Sequence, residues 1–300
     1  MFRRFFLEDI DISIILPCKD EGAHLKGTVD GMLQAKTNLT VEIIVVNDNS
    51  TDGCYSFLLE DKEEYKRVRL LTASNLGIAG ARNIGASIAR GKYLFFFDAH
   101  IYVEDFWMDK LINTLEDNCA DAITPTMKDM SGNVVGYGGT WNQYLTFTYL
   151  EKPDKNGAEV PLSPGGAFVI KRKVFEDVNG FDSHYGPWGY EDQEMSLKLW
   201  LFGYKIVVDT EVSVRHYFKE EHNYEIDYSS IIYNYIWMIY SHFTPPNIEK
   251  ALWRFSTDPL FSPPTAAVLL DEELLKQRRK YFDRRVITDQ DFLDKFHIIF

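Results

Sequence analysis

Short apolar runs that stop at polar or turn-forming residues recur along the first two-thirds of the chain. Runs of this length, bounded by charge, glycine or proline, are typical of strands buried inside a sheet. The first run, at 12–16, is closed by Pro17. On this basis we predict strands at 12–16, 41–46, 67–72, 93–97, 122–125, within 163–170, and at 205–209.

Apolar residues at helical spacing separate most of these runs. We predict helices at 24–35, 54–65, from about 79 to 90, at 104–118, in a short segment from Val174, and from Glu191 to a stop at Gly203. Strands that alternate with helices predict an α/β fold, with a mostly parallel central sheet flanked by helices. The polar stretch 129–160 predicts a hairpin or a long loop.

The apolar run at 93–97 ends at Asp98, and His100 follows two positions later. Because side chains alternate along a strand, Asp98 and His100 leave its end on one face. A carboxylate and an imidazole so placed can share a divalent ion at the carboxyl end of the strand, where open α/β sheets bind ligands. The pattern is short, and two residues that only cap a strand are the alternative.

Candidate chemistry also lies at other strand and helix ends. Asp48 follows the second strand, in a loop made almost wholly of turn formers and helix caps. The helix predicted from about Ala79 would offer free backbone N–H groups to a phosphate, with Arg82 as the matching cation. Glu191 and Asp192 open their predicted helix, where the helix dipole favours carboxylates.

Length and charge restrict the possible classes of protein. A chain of 300 residues can hold one large α/β domain with an appendage, or two domains. The net charge of −13 argues against a nucleic-acid partner, and a nucleotide ligand would need a local cation such as a metal ion. The 3 cysteines lie far apart and indicate a reducing compartment. The first residues lack a signal-peptide core, so we expect a cytoplasmic protein.

After about residue 220 the composition shifts to aromatic-rich segments broken by proline pairs, which predicts a helical extension. We therefore divide the chain into a domain at 1–220 and an extension at 221–300. The aromatic stripe at 228–243 predicts a core or a homodimer face. The basic run at 276–285 is typical of a solvated helix face, with contact to acidic lipids at a membrane surface, or to an acceptor, as the alternative.

Several short motifs, taken in order, carry a family resemblance. Four of them resemble the family 2 glycosyltransferases of the GT-A fold, at 14–17, 45–53, 80–85 and 97–100. The second half also resembles the polypeptide N-acetylgalactosaminyltransferases, at 165–168, 180–182, 188–192 and 216. The resemblance covers roughly residues 11–220, and the order of the motifs makes it specific where no single motif is.

The resemblance implies a metal-dependent glycosyltransferase with a UDP-linked sugar donor and an acceptor hydroxyl on a glycan, peptide or small molecule. Asp48 would contact the nucleotide base, and Arg82 would help to hold the nucleotide or its diphosphate. Trp188 would stack on a sugar, with burial in the core as the alternative. The residues expected to bind the donor are Pro17, Glu21, Asp48, Arg82, Asp98, Gly165, Gly166 and Trp188.

The resemblance also implies a metal set. Asp98 matches the first residue of the family's Asp-x-Asp motif, and His100 replaces the second Asp, as in the N-acetylgalactosaminyltransferases. His216 matches a later histidine that completes the set in those enzymes, with a surface or core histidine as the alternative. Asp and two His suit Mn²⁺ better than Mg²⁺, which prefers oxygen ligands. His222 could belong to a loop that covers the nucleotide, and packing on the protein surface is the alternative.

Residues 191–192 depart from one of the two families. Inverting family 2 enzymes carry a Glu-Asp pair whose Asp is the catalytic base, whereas the retaining N-acetylgalactosaminyltransferases have Glu-Asn. Glu191 and Asp192 therefore favour inversion, because displacement at an anomeric carbon needs a base near the acceptor hydroxyl. The alternatives are a retaining transferase, a sugar-nucleotide pyrophosphorylase and a non-catalytic carbohydrate-binding protein. The loop after Pro17 lacks the Gly-rich, Arg-containing pattern of a pyrophosphorylase.

Overall fold

Strands and helices alternate through most of the chain. The computed structural model describes residues 9–60, 62–219 and 226–300, except for the side chain of Phe255. The strands are β1 (Ile12–Cys18), β2 (Val41–Asp48), β3 (Val68–Ala73), β4 (Tyr93–Phe97), β5 (Ile101–Tyr102), β6 (Ala122–Lys128), β7 (Val134–Gly136), β8 (Gly139–Trp141), β9 (Phe147–Tyr149), β10 (Ala158–Glu159), β11 (Ala167–Lys171) and β12 (Ile206–His216). The α-helices are α1 (His24–Gln34), α2 (Gly77–Ile88), α3 (Trp107–Asp117), α4 (Arg172–Asp177), α5 (Glu191–Leu201), α6 (Tyr228–His242), α7 (Pro245–Leu252), α8 (Ser262–Leu269), α9 (Glu272–Arg284) and α10 (Asp289–Lys295).

One large sheet joins the strands in the order β10-β12-β6-β11-β4-β1-β2-β3. The strands β3, β2, β1 and β4 are parallel, so their carboxyl ends meet at one edge. β11 runs antiparallel to both of its neighbours, β4 and β6, while β12 returns parallel to β6. The α/β class is confirmed, and the reversal at β11 makes the parallel sheet mixed.

The sheet separates two hydrophobic layers because the side chains of its strands alternate. On one face Phe95 and Phe97 of β4 pack edge-on against Trp107 of α3. On the other face Phe96 packs against Phe175 and Phe181. Each of these buried rings contributes roughly 1.5–3 kcal/mol relative to an exposed one. β4 is therefore held on both faces, which fixes the position where it ends.

β1 and β2 are longer than predicted, and Pro17 lies inside β1. The ladder between β1 and β2 continues to the pair Cys18 and Asn47, whereas the ladder between β1 and β4 stops at Ile15 and Phe96. At Pro17 the strand therefore has a partner on one side only. A proline without an N–H group is compatible with such a position.

The helix predicted at 54–65 was wrong. The segment has two short 3-10 turns, Ser56–Leu58 and Glu63–Tyr65, separated by residues that include the exposed Leu59. Tyr65 is anchored by its hydroxyl, which donates to Asp30 Oδ1 at 2.9 Å. The segment thus lacks the continuous buried stripe that stabilises a helix. The hairpin predicted within 129–160 is confirmed by β8 and β9.

Helices α7, α8 and α9 pack around α6, whose residues are mostly buried from Ile232 onwards. Its Trp237 is fully buried, and the indole N–H donates to Asp182 Oδ2 at 2.8 Å. Side chains of α6 and of the sheet belong to one hydrophobic cluster, so the prediction of a core role for the aromatic stripe is confirmed. The boundary predicted between 220 and 221 lies outside the described residues. Within the described segments no helix has the length and apolarity of a membrane span.

Replacing Trp237 by Ala should destabilise the protein by about 3–5 kcal/mol, because it removes a large buried side chain. Since Trp237 shares a core with the sheet, urea unfolding followed by fluorescence and by far-UV circular dichroism should give one transition. The control Leu270→Ala, at a side chain 82% exposed, should change the free energy of unfolding by less than about 0.5 kcal/mol. Two separate transitions of the wild-type protein would contradict the shared core.

Candidate active site

Two strands bring three metal-ligating side chains together. Asp98 and His100 follow β4, and His216 ends β12, where it pairs with Ile101 of β5 and so comes to lie beside His100. The Nε2 atoms of His216 and His100 lie 3.2 Å and 3.8 Å from Asp98 Oδ2. One ligand atom from each of the three residues falls within 4.8 Å of the others. The predicted meeting of Asp98 with both histidines is therefore confirmed.

The electrostatics of this cluster fit a divalent cation. Burial by itself raises the pKa of Asp98, but a hydrogen bond from His216 and the charges of His100, His216 and Arg82 lower it well below its usual range. Asp98 therefore stays ionised, as a metal ligand must. One carboxylate with two imidazoles is a donor set suited to Mn²⁺.

Glu21 contacts one of the candidate metal ligands directly. Its Oε2 lies 3.0 Å from His100 Nδ1 and accepts a hydrogen bond from Lys219 Nζ at 2.8 Å. When Nε2 of His100 binds a metal ion, Nδ1 would carry the proton and donate a hydrogen bond to Glu21. A carboxylate on the far nitrogen of a ligating histidine fixes its tautomer and ring orientation. Glu21, itself held by Lys219, therefore orients the His100 ring on the side away from Asp98.

A cavity of about 300 Å³ opens on one side of the cluster, and we call it the first cavity. Its lining includes Pro17, Glu21, Asp48, Trp188 and Lys219, together with the three candidate metal ligands. The predicted nucleotide residues Pro17, Glu21 and Asp48 are thus brought together. Trp188 is 36% exposed, so the alternative of core burial does not hold for it.

The amide groups at the start of α2 are not free. Asp48 accepts hydrogen bonds from the N–H groups of Leu76 and Gly77 at 2.8 and 2.9 Å, and the N–H of Ile78 donates to the carbonyl of Pro187. The prediction that this helix end offers free N–H groups to a phosphate was wrong at these positions. Asp48 caps α2 while it borders the first cavity.

A second cavity of about 380 Å³ lies on the other side of the cluster. Asp98, His216 and Trp188 border both cavities. The second cavity is also lined by Arg82, Gly165, Gly166, Glu191 and Asp192. A Cβ atom on Gly166 would come within 3.0–3.2 Å of His216 and Asp98, which explains why a glycine fits between the two cavities.

Arg82 connects the candidate metal ligand Asp98 to the first turn of α5. It is buried, with one guanidinium nitrogen 3.1 Å from Glu191 Oε1. The other terminal nitrogen lies 3.5 Å from Asp98 Oδ1 and donates to the carbonyl of Gly165 at 2.6 Å. These contacts place Arg82 between the carboxylates, on the side of the second cavity. Its predicted role on the diphosphate stays a prediction.

Asp192 is presented to the second cavity by the start of α5. Tyr190, just before the helix, is left-handed with φ 67°, and this turn reverses the chain. The Asp192 carboxylate accepts hydrogen bonds from the N–H groups of Gly165 at 2.9 Å and Gln193 at 2.8 Å. Burial raises the pKa of Asp192, and burial and the Asp192 charge raise the pKa of Glu191. Asp192 is therefore a fixed carboxylate of increased basicity.

Three residues that the sequence reasoning missed or left open also border the site. Lys219 has no signal beyond its place shortly after His216. Tyr149 of β9 lines the second cavity, and burial together with the charges of Asp192 and Asp98 raises the pKa of its hydroxyl, which stays a proton donor. Phe218 lines the first cavity, with its ring 4.4 Å from that of His216. His222 lies outside the described residues.

Comparison with known families agrees with this arrangement. The model of glycosyl transferase family 2 matches residues 13–178, which is more than half of the chain. The chain belongs to this family. A second family model, described as the N-terminal domain of galactosyltransferase, matches residues 159–223 and so covers Gly165, Asp192 and His216.

Among curated proteins, this family 2 chain is similar to polypeptide N-acetylgalactosaminyltransferases. It is 29% identical over 218 residues to human polypeptide N-acetylgalactosaminyltransferase 10, covering 66% of this chain and 36% of that protein. It is 26% identical over 243 residues to putative polypeptide N-acetylgalactosaminyltransferase 13 of Drosophila melanogaster, covering 72% of this chain and 43% of that protein. The chain thus spans well under half of the length of these relatives.

Solved structures show the same fold. A crystal structure of GalNAc-T7 with UDP, GalNAc and Mn²⁺ superposes with a TM-score of 0.78 at 20% identity, covering 97% of this chain and 57% of that one. A crystal structure of S. aureus TarS 1-349 with UDP-GlcNAc superposes with a TM-score of 0.61 at 14% identity, covering 95% and 81%. The GT-A fold expected from the motifs is confirmed.

Removing a metal ligand should abolish tight Mn²⁺ binding and leave the fold intact. We expect Asp98→Ala, His100→Ala and His216→Ala each to weaken Mn²⁺ affinity at least about 10-fold, because a three-ligand set loses one donor. Electron paramagnetic resonance of free Mn²⁺, measured with and without UDP, checks this, with circular dichroism as the folding control. Unchanged Mn²⁺ affinity in both Asp98→Ala and His100→Ala would exclude the proposed metal site. Unchanged Mn²⁺ affinity in His216→Ala alone would show that His216 is not a ligand.

Glu21→Gln should weaken Mn²⁺ affinity about 10-fold, since it keeps the size of the side chain but removes the charge that faces His100 and Lys219. The same resonance titration measures the effect. Glu249→Gln makes the identical chemical change at an exposed position and serves as the matched control. Equal Mn²⁺ affinity of both variants would show that Glu21 does not orient the metal set.

Proposed function

We propose that the protein is a metal-dependent glycosyltransferase that moves a sugar from a UDP-linked donor to an acceptor hydroxyl with inversion. The observation that carries the proposal is the position of Asp98 and His216 on the border of two cavities. Pro17, Glu21 and Asp48, which are expected to bind a nucleotide, line the first cavity. Arg82, Gly165 and Gly166, which are also expected to bind the donor, line the second cavity instead. The second contains the carboxylate of Asp192, on the other side of the candidate metal ligands.

The donor would occupy the first cavity, with its sugar directed towards the second. The relatives support a UDP-linked sugar, since one of the two matched structures is a complex with UDP, GalNAc and Mn²⁺, and the other is a complex with UDP-GlcNAc. Asp98, His100 and His216 would hold a divalent ion, which when bound stabilises negative charge on the leaving diphosphate. Lys219 adds a positive charge to the same cavity. Because Lys219 pairs with Glu21, the divalent ion would be the main positive charge for a diphosphate in this chain of net charge −13.

Asp192 would act as the general base. As the acceptor oxygen forms its bond to the anomeric carbon, the hydroxyl proton passes to the Asp192 carboxylate, and the bond from that carbon to the diphosphate breaks. Two backbone N–H groups fix the carboxylate, and its raised pKa makes it a stronger base. Glu191 does not transfer a proton in this scheme, because it is engaged by Arg82 and by the N–H of Gly189.

A retaining transferase is the second candidate, because the curated relatives that match are polypeptide N-acetylgalactosaminyltransferases. It would give a product with the anomeric configuration of the donor. The acidic residue at Asp192 favours inversion over this alternative. Nuclear magnetic resonance of the first product formed distinguishes the two outcomes.

The remaining partner and location assignments stay predictions. We expect a cytoplasmic protein without a nucleic-acid partner. Homodimerisation through the C-terminal extension and peripheral membrane contact stay open. In the basic run, Arg284 and Arg285 pair with Asp177 and Asp289, which favours a structural role for that part of the run.

Asp192→Asn should lower the transfer rate by about 10²–10⁴-fold while donor binding stays nearly intact, because it removes the base and keeps the shape. The wild-type rate should fall as the pH drops through the raised pKa of Asp192, and this acid limb should be absent from the variant. Glu191→Gln should lower the rate less. Transfer by Asp192→Asn at a near wild-type rate, or retention of configuration, would overturn the assignment and favour the retaining mechanism.

A further inference from the structure

A third cavity, of about 250 Å³, lies where the C-terminal extension meets the hairpin β8–β9. The hairpin turn contributes Gln143 and Tyr144, and the end of α7 with the following turn contributes Lys250 and Trp253. None of these residues takes part in the metal cluster or lines the first two cavities. The third cavity is therefore a separate feature without a role in the mechanism above.

Direct contacts connect the third cavity to the second. Arg254 donates to the carbonyl of Leu145 at 3.2 Å and to the hydroxyl of Tyr190 at 2.7 Å. Tyr190 lines the second cavity and immediately precedes the first turn of α5. The hairpin turn is shared as well, since Leu145 lines the third cavity and Thr146 lines the second. The two cavities are therefore neighbours along the hairpin turn.

The lining of the third cavity has the chemistry of a sugar-binding surface. Trp253 is 74% exposed and Tyr144 is 57% exposed, so two aromatic rings face solvent at one cavity. Such rings offer large, rigid contact area at low conformational cost, and they combine an apolar face with a polar edge. A pyranose ring has a matching C–H face and a rim of hydroxyl groups. Gln143 and Lys250 supply hydrogen-bonding groups for that rim.

A peptide acceptor fits the lining of the third cavity less well. Extended peptides bind mainly through main-chain hydrogen bonds to a strand edge and side chains in alternate pockets. The lining of the third cavity combines the exposed rings of Tyr144 and Trp253 with the polar residues Gln143 and Lys250, a combination that suits a saccharide. An acidic polymer would in addition be repelled by the net charge of −13.

We propose that the third cavity is an acceptor subsite that binds a sugar unit of an oligosaccharide remote from the reacting hydroxyl at Asp192. The proposal rests on the proposed transferase function and names its acceptor class, a neutral oligosaccharide. Binding energy gained at a remote unit can position the reacting hydroxyl and so contribute to catalysis. Longer acceptors should therefore be better substrates than monosaccharides.

Direct binding tests the subsite without requiring transfer. Isothermal titration calorimetry of the full chain with Mn²⁺ and UDP would use neutral oligosaccharides of increasing length, and a parallel series of uncharged peptides. Trp253→Ala and Tyr144→Ala should each weaken oligosaccharide binding about 10-fold, as truncation of an aromatic anchor does. Leu270→Ala removes an apolar side chain that is 82% exposed elsewhere on the extension, and it should leave binding unchanged. Circular dichroism verifies folding.

Wild-type protein that binds no oligosaccharide, or binds peptides instead, would overturn the subsite. Equal oligosaccharide affinity of Trp253→Ala, Tyr144→Ala and Leu270→Ala would do the same. Saccharide binding that depends on Trp253 in a protein without donor hydrolysis or transfer would instead support the subsite and contradict the proposed function. With an active enzyme, Trp253→Ala should raise KM for long acceptors more than it lowers kcat, and should have little effect on short ones.

Discussion

The structure of the site depends on one carboxylate at the end of a buried strand. Asp98 leaves β4 at a point fixed by aromatic packing on both faces of the sheet, and it contacts His216, His100 and Arg82. A buried carboxylate is stable as an anion only when cationic or donating partners surround it. This requirement explains why β12 presents His216 and α2 presents Arg82 to the same position. Glu191 of α5 pairs with the same guanidinium group of Arg82.

The C-terminal extension supports the site from behind α5. Glu194 and Lys198, on the buried side of that helix, form an ion pair at 3.1 Å, and Glu194 also contacts His242 of α6 at 2.8 Å. Lys198 donates in addition to the carbonyl of Gly180. Removing one member of such a buried group leaves a charge uncompensated, which is costly. The helix that presents Asp192 is therefore held in place by α6 as well as by the sheet.

The two adjoining cavities would separate the leaving group of the proposed reaction from its acceptor. Asp98 and His216 border both cavities, and in the proposed reaction the diphosphate would leave towards the first cavity while the acceptor hydroxyl approaches from the second. The arrangement relies on local charge, since the protein as a whole carries −13. Since Lys219 pairs with Glu21, a divalent ion bound by Asp98, His100 and His216 would supply most of the positive charge that a diphosphate requires.

The sequence alone determined most of the sheet, the α/β class, the likeness of its motifs to a family, and the proximity of Asp98 to His100. The sheet, the fold class and the proximity of the two residues follow from local periodicity, which determines the face on which each side chain lies. The family likeness follows from the order of the motifs. The family resemblance singled out His216, and the tertiary structure shows how this residue, 118 positions away, reaches Asp98 and that Glu21 contacts His100. It also decided that Asp48 caps α2 and that Arg82 pairs with Glu191. Such pairings depend on strand order and helix packing, which local periodicity does not encode.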